Sequence, residues 1–203
     1  MRFILPVILF VLLAPTAHAY PKLPQPLPPV EHNPADALVD LPIEDSIYET
    51  ASRCKNRSNA GITALANWLA ANTRGVFWGS YRCEKWGKNS ASLHAENRAI
   101  DWHLDVANKA DRRAADKLIR LLLAPDKLGN PQALARRMGV EELIWDCGYW
   151  GAGMTEFRPY SVCYKPNGRK RKRFNKTAAH QDHIHIGMTK AGAKGRTSFW
   201  TAG

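Results

Sequence analysis

Two separated stretches of the chain gather side chains that bind metals and move protons. The first runs Gly79-Ser80-Tyr81-Arg82 and resumes after nine residues as Ser92-Leu93-His94-Ala95-Glu96-Asn97-Arg98-Ala99-Ile100-Asp101. The second is His180-Gln181-Asp182-His183-Ile184-His185-Ile186-Gly187. Imidazole and carboxylate ligands hold Zn²⁺ while leaving a fourth position for water, the arrangement of a catalytic zinc site. His94, Asp101 and His185 would supply two nitrogens and one oxygen. The same residue types also occur as solvated histidines and an ordinary strand aspartate, so spacing alone leaves both readings open.

Convergence requires strands that send these groups to one side. Ala99, Asp101 and His103 alternate with Ile100 and Trp102, so Asp101 can leave one face while the apolar residues leave the other. His183 and His185 share a face in the same way, with Ile184 and Ile186 behind them. Two strands with polar fronts and apolar backs can enclose one metal. Around them, Asn59 to Asn72 has a helical apolar face through Ile62, Leu65, Ala66 and Leu69, followed by a strand at Val76 to Tyr81. Asp111 to Ala124 repeats the helical pattern, and Asn130-Pro131 suits an N-cap and first turn of a short helix to Met138. Glu142 to Cys147 and His183 to Met188 read as short strands. Helices mixed with a few short strands, without internal repeats, predict one α+β domain from residue 42 to 203.

The spacing Ser92-x-His94-x-x-Asn97-x-Ala99-x-Asp101 resembles the S-x-H-x-x-G-x-A-x-D signature of zinc D-alanyl-D-alanine peptidases. His183-x-His185 resembles the H-x-H of the wider superfamily that includes hedgehog and lysostaphin-type peptidases, and Gly-Ser-Tyr-Arg is similar to the S-G-Y-R that precedes the signature. The Y-x-C, S-x-H-A and H-x-D-H-x-H elements also resemble bacterial extensin-like C-terminal domains. The likeness covers roughly residues 76 to 187. It implies a small antiparallel sheet flanked by helices, with His94, Asp101 and His185 as zinc ligands. It further implies Asp182 as general base, three residues before the last ligand, and Arg82 as the cation that steadies the substrate carbonyl and its oxyanion. Such groups serve zinc-assisted hydrolysis, in which water is deprotonated, the leaving amine is protonated and negative charge on oxygen is stabilised.

Two departures matter. Asn97 replaces the signature glycine, and asparagine tolerates a left-handed backbone better than most residues. Asp182 has the opposite strand parity from His183 and His185, so it faces the metal only if the regular strand begins after it. If the strand begins earlier, His183 is the candidate for proton transfer or oxyanion contact. His180 and His103 stand nearby as substrate-contacting or purely structural groups.

At its N-terminus, Arg2, the apolar run Phe3 to Ala14 and Ala17-His18-Ala19 read as a signal peptide over residues 1–19, cleaved after Ala19 and leaving no membrane span. Export makes Cys54, Cys83, Cys147 and Cys163, which contain no C-x-x-C, more suited to two disulfides than to a zinc ribbon. Three pairings exist, and short loops favour Cys54 with Cys83 and Cys147 with Cys163. Residues 20–41, with prolines at 21, 24, 26, 28, 29 and 34, read as a spacer.

The whole chain is 203 residues with 45% apolar content, enough for a core, and 29 basic against 18 acidic residues give it +11. That charge and the run Arg169-Lys170-Arg171-Lys172-Arg173 attract anionic polymers, although such runs are often only solvated loops. Trp145, Tyr149 and Trp150 read as core or pocket wall rather than a base-stacking module, so nucleic acid is not the expected partner. The expectation is a secreted or periplasmic zinc peptidase acting on peptidoglycan peptides or other anionic cell-wall material. The alternative is a zinc-stabilised wall-binding domain without turnover.

Overall fold

A computed structural model describes residues 21–202; the expected signal peptide lies outside them. The protein is α+β, built on a six-stranded antiparallel sheet. Its strands are β1 (Val76–Gly79), β4 (Ala99–His103), β5 (Val140–Trp145), β6 (Gly148–Gly151), β7 (Arg158–Pro159) and β8 (His183–Met188), in the spatial order β1-β4-β8-β5-β6-β7. A separate two-stranded hairpin joins β2 (Lys85–Gly87) and β3 (Ser90–Ala91). The helices are α1 (Ala60–Asn72), α2 (Lys109–Leu123), α3 (Ala133–Met138) and two single turns, α4 (Lys190–Ala193) and α5 (Ser198–Thr201).

Alternation along the strands sorts the two faces of the sheet. Ile100 pairs with Ile186 and Trp102 with Ile184 across β4 and β8. These four join Leu143 and Trp145 and, from the helices, Leu65, Ile119 and Leu134 in one buried apolar cluster. The opposite parity carries Asp101 opposite His185 and His103 opposite His183. Closing the apolar face over the helices thereby fixes which way the polar side chains of these strands point.

Two local expectations change. The third helix starts at Ala133, not at Pro131, with Gln132 left-handed at φ 56° as its cap. Asn130 does not cap it: Asp126 holds its amide nitrogen at 2.9 and 3.1 Å and its backbone N–H at 3.0 Å, and the Ala133 N–H that a cap would receive donates instead to the Ala124 carbonyl at 3.1 Å. The proline-rich stretch is also not detached from the domain. Asn33 caps a 3₁₀ turn at Pro34–Leu38 and donates to the Pro125 carbonyl at 3.2 Å, Ala35 is fully buried, and Leu23 and Leu27 lean on the core.

Both favoured cysteine pairings are present, Cys54–Cys83 and Cys147–Cys163. Two disulfides fit an extracellular or secreted protein. Among the described residues no helix is long and apolar enough to cross a membrane.

Candidate metal centre

His94 lies in a 3₁₀ turn, Leu93–Glu96, whose Ser92 cap accepts from the His94 backbone N–H and whose exit residue Asn97 is left-handed at φ 52° and ψ 46°. Asn97 thus adopts the left-handed turn that asparagine tolerates, and its amide donates to the Arg57 carbonyl at 2.6 Å. This reversal delivers the chain into β4, so His94 faces Asp101 from outside the sheet.

Three side chains meet at one point. His94 Nε2 stands 3.0 Å from Asp101 Oδ1 and 3.0 Å from His185 Nδ1, and the last two atoms are 3.3 Å apart. All three residues are buried, and the group can hold a metal ion. Their remaining atoms are held from behind. His94 Nδ1–H donates to the Ser80 carbonyl at 2.9 Å, which leaves Nε2 as a bare electron pair in the neutral ring. His185 Nε2 lies 3.0 Å from Glu142 Oε1, a charge contact set off the line of the N–H bond. Arg82 Nη1 donates to Asp101 Oδ2, which leaves Oδ1 for the centre. With outer atoms fixed in this way, two nitrogens and an anionic oxygen converge on one spot, a donor set that could hold a cation.

Glu142 was legible only as the start of a strand, yet it backs the last ligand. Its other oxygen accepts from Tyr48 Oη at 2.9 Å. The signal that could have found it is the pair Glu141-Glu142 inside the apolar run of β5, because a buried carboxylate must have partners. Gly187 makes the room: a Cβ there would come within 2.3 Å of Leu93 Cδ1 and 3.0 Å of Glu142 Cβ.

The electrostatics follow from these contacts. Burial opposes charge on Asp101, but hydrogen bonds from His185 and His94 outweigh it and hold the carboxyl far below the usual range. Burial likewise opposes protonation of His185, and its contacts with Asp101 and Glu142 overcome this and raise it to about 9. His94 is pushed down, chiefly by burial. His180, also chiefly by burial, is pushed down well below its ordinary range.

His183 opens β8, the earliest position that gives it the parity of His185. Its Nε2 lies 3.5 Å from Asp101 Oδ1 and is buried without a hydrogen-bond partner, while Nδ1–H donates to Asp182 Oδ1 at 2.8 Å. Asp182 precedes the strand, and its other oxygen accepts from Thr177 Oγ1 at 2.6 Å. The Asp182 carboxylate therefore reaches the centre through His183. His103 is held outside the cluster, with Nδ1–H on the Asp182 carbonyl at 2.7 Å and its ring stacked on Trp78. His180 packs 4.6 Å from the His183 ring.

Asp101, Glu142, His180, His183 and His185 line an open groove of about 960 Å³, together with Trp78, Arg82, Trp86 and Tyr160. A smaller cavity of about 420 Å³, lined by Glu44, Arg136 and Lys190, shares no residue with it. The basic run leaves the groove wall at Val162 and returns to it at Asn175. No protein-family model matches the chain, nor does any curated protein or solved structure.

Proposed function

We propose that this protein is a secreted zinc peptidase that hydrolyses peptide bonds in the stem or cross-link peptides of peptidoglycan. Its sheet and flanking helices would then be a version of the D-alanyl-D-alanine peptidase and hedgehog-type fold that its motifs resemble. The observation that carries the reading is the meeting of His94 Nε2, Asp101 Oδ1 and His185 Nδ1 at 3.0–3.3 Å beside a groove that Asp101 and His185 line, with the unpartnered Nε2 of His183 next to them. Those separations approach the edge of a tetrahedron, about 3.3–3.4 Å for zinc bonds of about 2.0–2.1 Å. Two imidazoles and one carboxylate also suit zinc better than the all-oxygen sets of magnesium or calcium.

A zinc ion held there supplies Lewis acidity, which brings water within reach of deprotonation near neutral pH and polarises a carbonyl. His183 takes the proton at Nε2 and returns it to the leaving amine, with Asp182 holding Nδ1–H so that the accepting nitrogen faces the centre. Arg82 keeps Asp101 oriented and presents a half-exposed guanidinium to the groove, where it attracts the oxygen that gains negative charge.

The test is digestion of purified peptidoglycan by the exported protein, read by mass spectrometry. The expected products carry new peptide termini, vanish with a chelator and return with zinc. No products from any wall chemistry would leave a non-catalytic wall-binding domain as the better reading, and chelator-insensitive products would remove the metal from the reaction.

A further inference from the structure

The β2–β3 hairpin carries Trp86 at the centre of its first strand, between Lys85 and Gly87, and all three residues are exposed. Trp86 is 67% exposed, yet it lines the groove that holds His183 and His185. The hairpin is not loose. Ala51 bridges to Ala91, Cys54 is bonded to Cys83, and the Ser92 N–H donates to the Glu84 carbonyl at 3.0 Å. On another wall Trp78, itself half exposed, has one face fixed against His103 at a centroid distance of 4.5 Å and an interplanar angle of 15°. One indole fixed on His103 and a second carried on a tethered hairpin thus leave apolar area open to water in the groove of the candidate centre, an arrangement that favours a ligand able to cover them.

The neighbours of these rings define that ligand. Groups that bond hydroxyls and amides line the same groove as the indoles: Arg82, Glu84, Ser161, Asn175 and Thr177. A wholly apolar segment would strip water from them without replacing it. Phosphate would meet the Glu84 carboxylate next to Trp86. A pyranose ring matches both features, with a C–H face for an indole and an edge of hydroxyl or acetamido groups for the polar side chains.

We propose that the groove contains a saccharide subsite, in which Trp86 and Trp78 cover the faces of amino-sugar rings. The inference rests on the peptidase reading for its place next to the bond that is cut, and it narrows the substrate to peptides still joined to their glycan.

The test titrates the tetramer of β-1,4-linked N-acetylglucosamine into the full exported chain by calorimetry, with chelator present. Saturable binding is expected, weakened at least about tenfold in Trp86→Ala and restored to within about threefold in Trp86→Tyr, since one stacked ring contributes on the order of a tenfold change in Kd. The ratio of kcat/KM for sugar-bearing over sugar-free stem peptide should fall with the same variant, at unchanged zinc content. No tetramer binding, equal binding by Trp86→Ala, or tighter Trp86-dependent binding of an oligothymidylate would overturn the proposal. Tetramer binding by a protein that cuts no peptide would support the saccharide subsite and sink the peptidase reading alone.

Discussion

His183 and Asp182 make separable contributions if the proton moves through the imidazole. His183→Ala should lower kcat by about 10²–10⁴-fold while one metal ion per chain is retained. Asp182→Ala acts only through the ring, so kcat should fall by tenfold or more with KM little changed; loss of metal in either variant would mean a ligand role instead. A second expectation concerns His185, whose Nδ1 must be bare to bind a metal although Asp101 and Glu142 keep the ring protonated up to about 9. Below that pH the proton competes, so apparent zinc affinity should drop about tenfold per unit, or about 100-fold from pH 8.5 to 6.5. The linkage to stability has the same sign. The metal-free fold gains from this raised pKa fully below the unfolded value of about 6.5 and loses the gain as pH rises through 9. The increase in Tm on adding zinc should therefore widen from pH 6.5 to 9. Chelator competition and thermal melts check both, and a flat profile would remove Nδ1 from the ligand set.

The strands explain which parts of the site could be read in advance. Period-two alternation in Ala99–His103 and His183–Met188 contains the information that Asp101 and His185 share a face, and the register confirms that they are direct partners. Alternation cannot say where a side chain just outside a strand points: β8 begins after Asp182, as a metal-facing Asp182 requires, yet its carboxylate turns to His183 Nδ1 and Thr177 Oγ1. It also cannot name a cross-strand partner, so Glu142 behind His185 was invisible until β5 was placed beside β8. The Asn130 cap failed for a similar reason, since a spatial competitor, Asp126, outweighed a local preference. The turn before β4 gives a sharper expectation. Asn97 is left-handed, a conformation that β-branched residues strongly resist. Asn97→Val should destabilise by about 2–3 kcal/mol through strain and the lost bond to Arg57, whereas Asn97→Gly should keep the backbone and lose about 1 kcal/mol. Denaturant midpoints distinguish them, and equal values would show that the turn is not under conformational control.

At the scale of the whole molecule, the covalent ties act on the site from a distance. The Cys54–Cys83 bond closes a separation of 29 residues and ends one residue after Arg82, close to the Ser80 carbonyl that fixes His94. Loop-closure entropy assigns it about 3–4 kcal/mol, and replacing both cysteines by alanine should lower stability by that order and weaken zinc binding as well. A variant that lost stability but bound zinc as before would uncouple the tie from the site. The sheet order has a temporal meaning too. β8 is the latest strand in chain order, yet it lies inside the sheet, between β4 and β5. Until that strand is present, β4 and β5 have no neighbour to pair with between them, and His185, one of the three candidate ligands, is missing. If the centre binds metal as proposed, a chain that stops before residue 183 should hold no ion there, because the third donor arrives only with the last strand.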